Sequence, residues 1–534
     1  MRFTIVKNIS KALLCGTVLL GPVGCSDFLD EQPPSNLTTE SFYTIPDHAE
    51  AALASVYAEV RFFGGGAGIF SSNWQLLEAM TGTSTTETAQ NSDLNNLYSL
   101  SHDGNTVHVV NWWNGLYRVI AQANLVLDRV PAITPMPEAQ KKKILGEARF
   151  LRAWAYFTLV RLWGDVPLIT KPQADATASD FRPARNNQEE VYKLIVEDLQ
   201  AAESAGLAWM DVSGRVNLAA VKTQLAKVYL TMAGFPLSKG ASHYKLAADK
   251  ALEVITYATS KPAEINLFST YEDVHREQTE NRLEHLFMIQ YNTIVPGVNV
   301  SGVDIPGGSN PMDNFYGNFK PINFNGPTGT GSSIPTLDFY NSFETGDRRT
   351  KDQEGYFYTT YFTNGTGARF DLGRPYVFKH FNRTSNGTEG VAGTRQNNLN
   401  VPLIRYAETL LIFAEAQNEV GGPTQATYDA LKRIRDRAQL TTPALGTYTQ
   451  ANFREAVWRE RWWEFCYEQI TWFDMVRTRK VFNEKTKGFD NFVGHVNLNT
   501  NKVLEQKHLL LPLGVQEMLN NPNLRPQNPG YPGV

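Results

Sequence analysis

The sequence predicts a mainly α-helical body of tetratricopeptide-like helix pairs, interrupted by one loop-rich lobe with short β-hairpins. Three observations carry this prediction. Apolar residues recur at helical spacing through long stretches that end at glycine or proline. Between 218 and 255, small Ala219, Ala226, Ala247, Ala248 and Ala251 lie at helical intervals among Leu225, Tyr229, Leu252 and Ile255, a pattern that lets paired helices approach closely. From 291 to 381 the periodicity disappears, and glycine, proline, asparagine and aromatic residues multiply.

Taken in order, residues 1–24 read as a secretion signal. Arg2, Lys7 and Lys11 precede a mostly apolar run that ends in small Gly24. That run falls short of the roughly 20 apolar residues needed to cross a bilayer. Cys25, next to Gly24 and followed by polar Ser26 and Asp27, resembles the acylated cysteine of a bacterial lipoprotein box, although Pro22 stands where such boxes carry a leucine-like residue. Acylation there would hold the chain on a membrane surface. Residues 25–41, stiffened by Pro33 and Pro34, form the tether. Residues 42–534 are expected to form one domain, with a helical scaffold over about 42–290 and 401–534 and a variable lobe over about 291–400.

Within the scaffold, 47–62 places Ala49, Ala52, Leu53, Val56, Tyr57 and Val60 on one face and stops at Gly64-Gly65-Gly66. Residues 67–105 read as loops with short helical pieces. Helices are expected over 106–130 and 137–163, the second with a stripe of Ile144, Ala148, Leu151, Ala155, Leu159 and Leu162 that ends at Gly164. Further helices are expected over 188–205, 218–234, 244–259, 403–420, 425–438 and 451–480. A proline-rich tail from 509 should lie extended over the body.

Composition narrows the function. Formal charge is −4 over 534 residues, and removing the signal's three cations leaves −7, so nucleic acid is not an expected partner. Of three cysteines, only Cys466 remains once Cys15 leaves with the signal and Cys25 is acylated, which excludes a disulfide framework or a cysteine metal cluster. The nine histidines are scattered and no phosphate-cradling loop, nucleophile elbow or zinc signature occurs, so neither cofactor nor metal is expected.

Five separated stretches carry a resemblance: Cys25-Ser26-Asp27-Phe28-Leu29-Asp30-Glu31 with Phe42-Tyr43; 147–157 through Leu162-Trp163-Gly164-Asp165-Val166-Pro167-Leu168; Arg405-Tyr406-Ala407-Glu408 through Ala414-Glu415-Ala416; 459–465 through 472–477; and Asn521-Pro522-Asn523-Leu524 through 527–531. In this order they resemble the SusD/RagB family of surface-exposed outer-membrane lipoproteins. The resemblance implies a SusD-like helical body with four tetratricopeptide-type helix pairs. It also implies a non-catalytic, cell-surface role: capturing oligosaccharides and delivering them to a SusC-like TonB-dependent transporter, over which the protein acts as a lid.

Glu460, Arg461, Glu464, Glu468, Asp474 and Arg477 invite a glycoside hydrolase reading, but acids and arginines four residues apart on a helix usually pair structurally. Glu408 and Glu415 receive the same reading, with Arg149 or Arg152 as expected partners. A sugar presents an apolar face and a rim of hydroxyls, so aromatic residues beside Asn, Asp, Gln and Arg are the binding candidates. Two regions qualify: Asn73, Trp74, Asp93 and Tyr98, joined by Asn91, Asn95 and Trp112; and Tyr291, Phe315, Tyr316 and Phe319, with Asn314 and Asn318. Trp113 and Tyr117 lie on the apolar stripe of their helix and are assigned to the core. The alternatives are an oligopeptide-binding lipoprotein of the RagB type and a surface glycoside hydrolase.

Overall fold

The computed structural model describes residues 42–64, 72–87, 92–173, 181–292, 298–300, 303–305, 331–362, 369–381 and 398–534. Cys25 and the tether lie outside the described residues, as do Asn91, Asn314, Phe315, Tyr316, Asn318 and Phe319. Long helices stack in chain order: Pro46–Val60, Val107–Arg129, Glu138–Trp163, Gln188–Glu203, Leu218–Ala233, Ala241–Ser260 and Tyr406–Gly421, with Gln425–Arg437 and Gln450–Glu464 closing the array against Tyr406–Gly421. The architecture is mainly α.

Burial follows the sequence pattern. The stripe Ile144, Ala148, Leu151, Ala155, Leu159 and Leu162 is wholly buried, each Leu- or Ile-sized side chain contributing about 1.5–3 kcal/mol. Pro137 precedes this helix, and Gly164 ends it at φ 74°, a backbone region that glycine enters without penalty. Ala219, Ala226, Ala247, Ala248 and Ala251 are buried where Leu218–Ala233 meets Ala241–Ser260, whereas Leu252 faces outward. Gly146 marks a close approach: a Cβ there would lie 2.3 Å from Cβ of Ala205.

Three expectations are corrected. The helix over 403–420 begins only at Tyr406, because Val401–Arg405 is a strand paired antiparallel with His285–Ile289. These two strands flank the lobe, and the backbone N–H of Tyr406 donates to the Glu284 carbonyl. The helix over 451–480 is broken into Gln450–Glu464 and Thr471–Thr478. Tyr467 and Gln469 take positive φ at the break, where tertiary bonds replace helical ones: Lys379 Nζ donates to the Glu464 and Cys466 carbonyls, and the Gln469 N–H donates to Glu78. The tail is not fully extended, since Val515–Asn520 is helical; it is tied down where the Asn528 amide donates to the carbonyls of Trp163 and Leu511.

Candidate functional site

The residues singled out on composition are mostly walled in. Trp74 is 0% exposed, packed edge-on against Phe63 and His380. Asn73 is buried and spends its amide within the fold, donating to the Phe62 carbonyl at 2.8 Å and accepting from Asn111 at 3.0 Å. Trp112, a binding candidate one residue off the apolar stripe of its helix, is buried and donates its indole N–H to the Asn73 carbonyl. Tyr98 is buried with its hydroxyl on the Ser332 carbonyl, and Tyr291 is buried with its backbone N–H on Asn400. None of these five offers a face to a ligand, since each is buried within the fold. Asp93 is partly exposed in the first turn of Ser92–Tyr98.

The neighbouring stripe of the same long helix opens instead onto a cleft of about 660 Å³, a volume suited to a small ligand. Trp113, Tyr117 and Ile120 supply its floor; Asn114, Arg118 and Ala121 follow one position on, and Leu125 lies a turn beyond Ala121, as helical spacing dictates. Trp113 packs edge-on against Trp163 at 5.3 Å and lies 5.0 Å from Tyr117.

The opposite wall is an extended strap that leaves the Gly164 stop and passes through Pro167, Ile169, Lys171, Pro172 and Gln173. Helix side chains pin this strap: Tyr117 donates to the Pro167 carbonyl, and Tyr156 and Asn124 donate to the Ile169 carbonyl, each at 2.8–2.9 Å. The third wall joins Phe181 and Pro183 to the C-terminal helix through Asn521, whose amide donates to the Pro183 carbonyl. Phe181 is 59% exposed, a large ring presented to solvent at the cleft.

A polar rim surrounds this apolar floor: Asn114, Arg118, Lys171, Gln173, Glu517 and Asn520. Arg118 is paired with Glu59 at 3.1 Å, which leaves Lys171 and Glu517 to balance each other in charge. Partial burial pushes the Glu517 carboxyl above its usual range. Rings below and hydrogen-bonding groups of balanced charge above can remove the flat side of a neutral polyol from water while pairing its hydroxyls. Sequence reasoning missed Trp113 and Tyr117, whose apolar stripe reads as core; that the walls opposite leave a cleft over this stripe is invisible in the helix alone.

The acids that invite a hydrolase reading form a buried charge network. Glu464 is 0% exposed and accepts from Arg405 at 3.0 Å, Arg437 at 2.6 Å and Tyr356 at 2.9 Å. Burial alone would raise its carboxyl, but the surrounding guanidiniums hold it down at about 2. Glu468 pairs with Arg405 and Lys379, and Glu460 with Arg349 and Arg435. Glu415 pairs with Arg477, and Glu408 with Lys227; Arg149 and Arg152, expected to serve them, pair with Asp198 instead. Among the described residues no group of three or more His, Cys, Asp or Glu could hold a metal ion, and no helix is long and apolar enough to cross a membrane.

A stacked-helix scaffold carrying a surface cleft with an aromatic floor defines a class of ligand-binding protein. Two family models match successive parts of the chain: one described as starch-binding associating with outer membrane over 27–230, and the SusD family over 278–531. The chain belongs to the SusD family. It is similar to a SusD superfamily protein from Parabacteroides distasonis, at 33% identity and TM-score 0.81, over 93% of this chain and all of that one. It is also similar to a SusD-like protein of Formosa agariphila, 26% identical over 94% of each chain. Surface glycan-binding protein A from Bacteroides thetaiotaomicron, solved in complex with laminarihexaose, shares the fold at 19% identity and TM-score 0.69, over 91% of this chain and all of that one.

Proposed function

We propose that this protein is a cell-surface lipoprotein, anchored to the outer membrane through Cys25, that captures oligosaccharides without altering them. It hands them to a SusC-like TonB-dependent transporter, over which it closes as a lid. The observation that carries the ligand class is the 660 Å³ cleft, whose Trp113 and Tyr117 floor, Phe181 wall and charge-balanced rim suit a sugar better than a charged polymer. The description of the matching N-terminal family model, starch-binding associating with outer membrane, supports both the ligand and the location. The burial of Glu464 among arginines supports a scaffold role for the acids of its helix.

Calorimetry on the lipid-free mature chain with starch oligosaccharides and laminarihexaose tests this reading. Phe181→Ala should weaken binding by about tenfold or more, the loss of about 1.4 kcal/mol expected from removing one stacking ring. Failure to bind any glycan, together with saturable binding of oligopeptides, would replace it with the RagB-type alternative.

A further inference from the structure

A second cavity, of about 150 Å³, lies where the ends of Glu138–Trp163 and Thr471–Thr478 meet the start of Gln188–Glu203 and the turn at 506–510. The geometry points to this cavity as a binding site for a small oxyanion, a carboxylate or a phosphate-like group, held by Arg161 and Arg479.

Arg161 and Arg479 line the cavity with no carboxylate among the described residues in ion-pair contact with either. Arg161 is clamped between the rings of Phe157 and Phe473, at 3.7 and 3.5 Å, and its one hydrogen bond among the described residues runs from Nε to the Phe157 carbonyl. Arg479 lies over Phe235 and donates from Nη1 to the Val476 carbonyl. A guanidinium has five N–H donors, so each retains most of its donors for another partner. No carboxylate of the described residues lies within 4.0 Å of either, whereas the adjacent Arg477 is held by both Glu415 and Asp474. Lys507 at the rim is paired with Glu505 at 3.2 Å.

The carbonyl ends of two helices supply partial negative charge, which explains why cations gather here but does not neutralise two of them. Burial pushes Arg161 down to about 9, outweighing the opposing pull of Tyr192, Glu408 and Asp474, and burial lowers Arg479 as well. Tyr192 and Gln188 line the same cavity and add neutral donors. Phe473 forms a buried flat wall beside the guanidinium of Arg161, and Phe235, 47% exposed, lines the cavity toward solvent. The volume admits one anionic group, not a chain of sugars, so the ligand is either a free inorganic oxyanion or the acidic substituent of a larger molecule.

The test is thermal-shift and calorimetric titration of the mature chain with phosphate, acetate and glucuronate, with glucose and sodium chloride at matched ionic strength as controls. At least one oxyanion should raise the melting temperature saturably, and Arg479→Gln should weaken that binding by about tenfold or more while leaving oligosaccharide binding in the other cleft unchanged. Preference for phosphate would identify a free anion, and preference for glucuronate an acidic sugar. Should Arg161→Gln fail to fold, Arg479→Gln and Tyr192→Phe still read the site. No stabilisation beyond chloride at about 10 mM, the weak end of specific affinity, or equal binding by Arg479→Gln, would overturn the proposal.

Discussion

Glu464 shows how a residue that looks chemical becomes structural. It terminates Gln450–Glu464 with its carboxylate inside the ring of Arg349, Arg405 and Arg437, and it receives the hydroxyls of Tyr356 and Tyr271. Removing one partner of a buried ion network leaves the others uncompensated, so Glu464→Gln should cost about 3–5 kcal/mol, read as a lowered urea midpoint.

The pH dependence follows from signs. Glu464 is ionised in the fold down to about 2 but would take a proton near 4.5 when unfolded, so its stabilisation is lost as pH falls through that window. His102, His108 and His380, held neutral by burial down to about 3, 4 and 4, act in the same sense below their ordinary 6.5. Glu78, Glu280 and Glu484, raised by burial to about 7, 8 and 7, oppose this between 4.5 and 8, but below 4.5 they are protonated in both states. Stability should therefore drop steadily below about pH 4.5, and Glu464→Gln should show a shallower drop than the parent.

At the scale of elements, the long helices were legible because their signals are local: apolar spacing and a Gly164 or Gly421-Gly422 stop are written within the segment itself. The helix break at 465–470 was not legible, since it is imposed by Lys379, His380 and Glu78, far away in sequence. Nor was the cleft, whose walls come from 113–125, 167–173, 181–183 and 517–524; Trp112 and Trp113 exchange roles from what their helix alone suggests. The helix pairing itself has a sharp test. Gly146→Ala should raise intrinsic helix propensity, yet its methyl would meet Ala205 at 2.3 Å, so packing predicts a net loss of about 1–3 kcal/mol by thermal or urea unfolding.

Over the whole molecule, one frame serves two ends. Between the strands His285–Ile289 and Val401–Arg405, Arg349 and Lys379 tie the chain to the helical stack by charge, reaching Glu460, Glu464 and Glu468. The C-terminal tail contributes to both the cleft and the second cavity, through Glu517 and Asn520 in one and Leu509, Leu510 and Pro529 in the other. The most direct measurement is a crystal structure of the mature chain with the oligosaccharide that calorimetry ranks first. The account predicts sugar rings against Tyr117 and Phe181, with hydroxyls on Asn114, Glu517 and Asn520; a sugar seated elsewhere, with this cleft left empty, would contradict it.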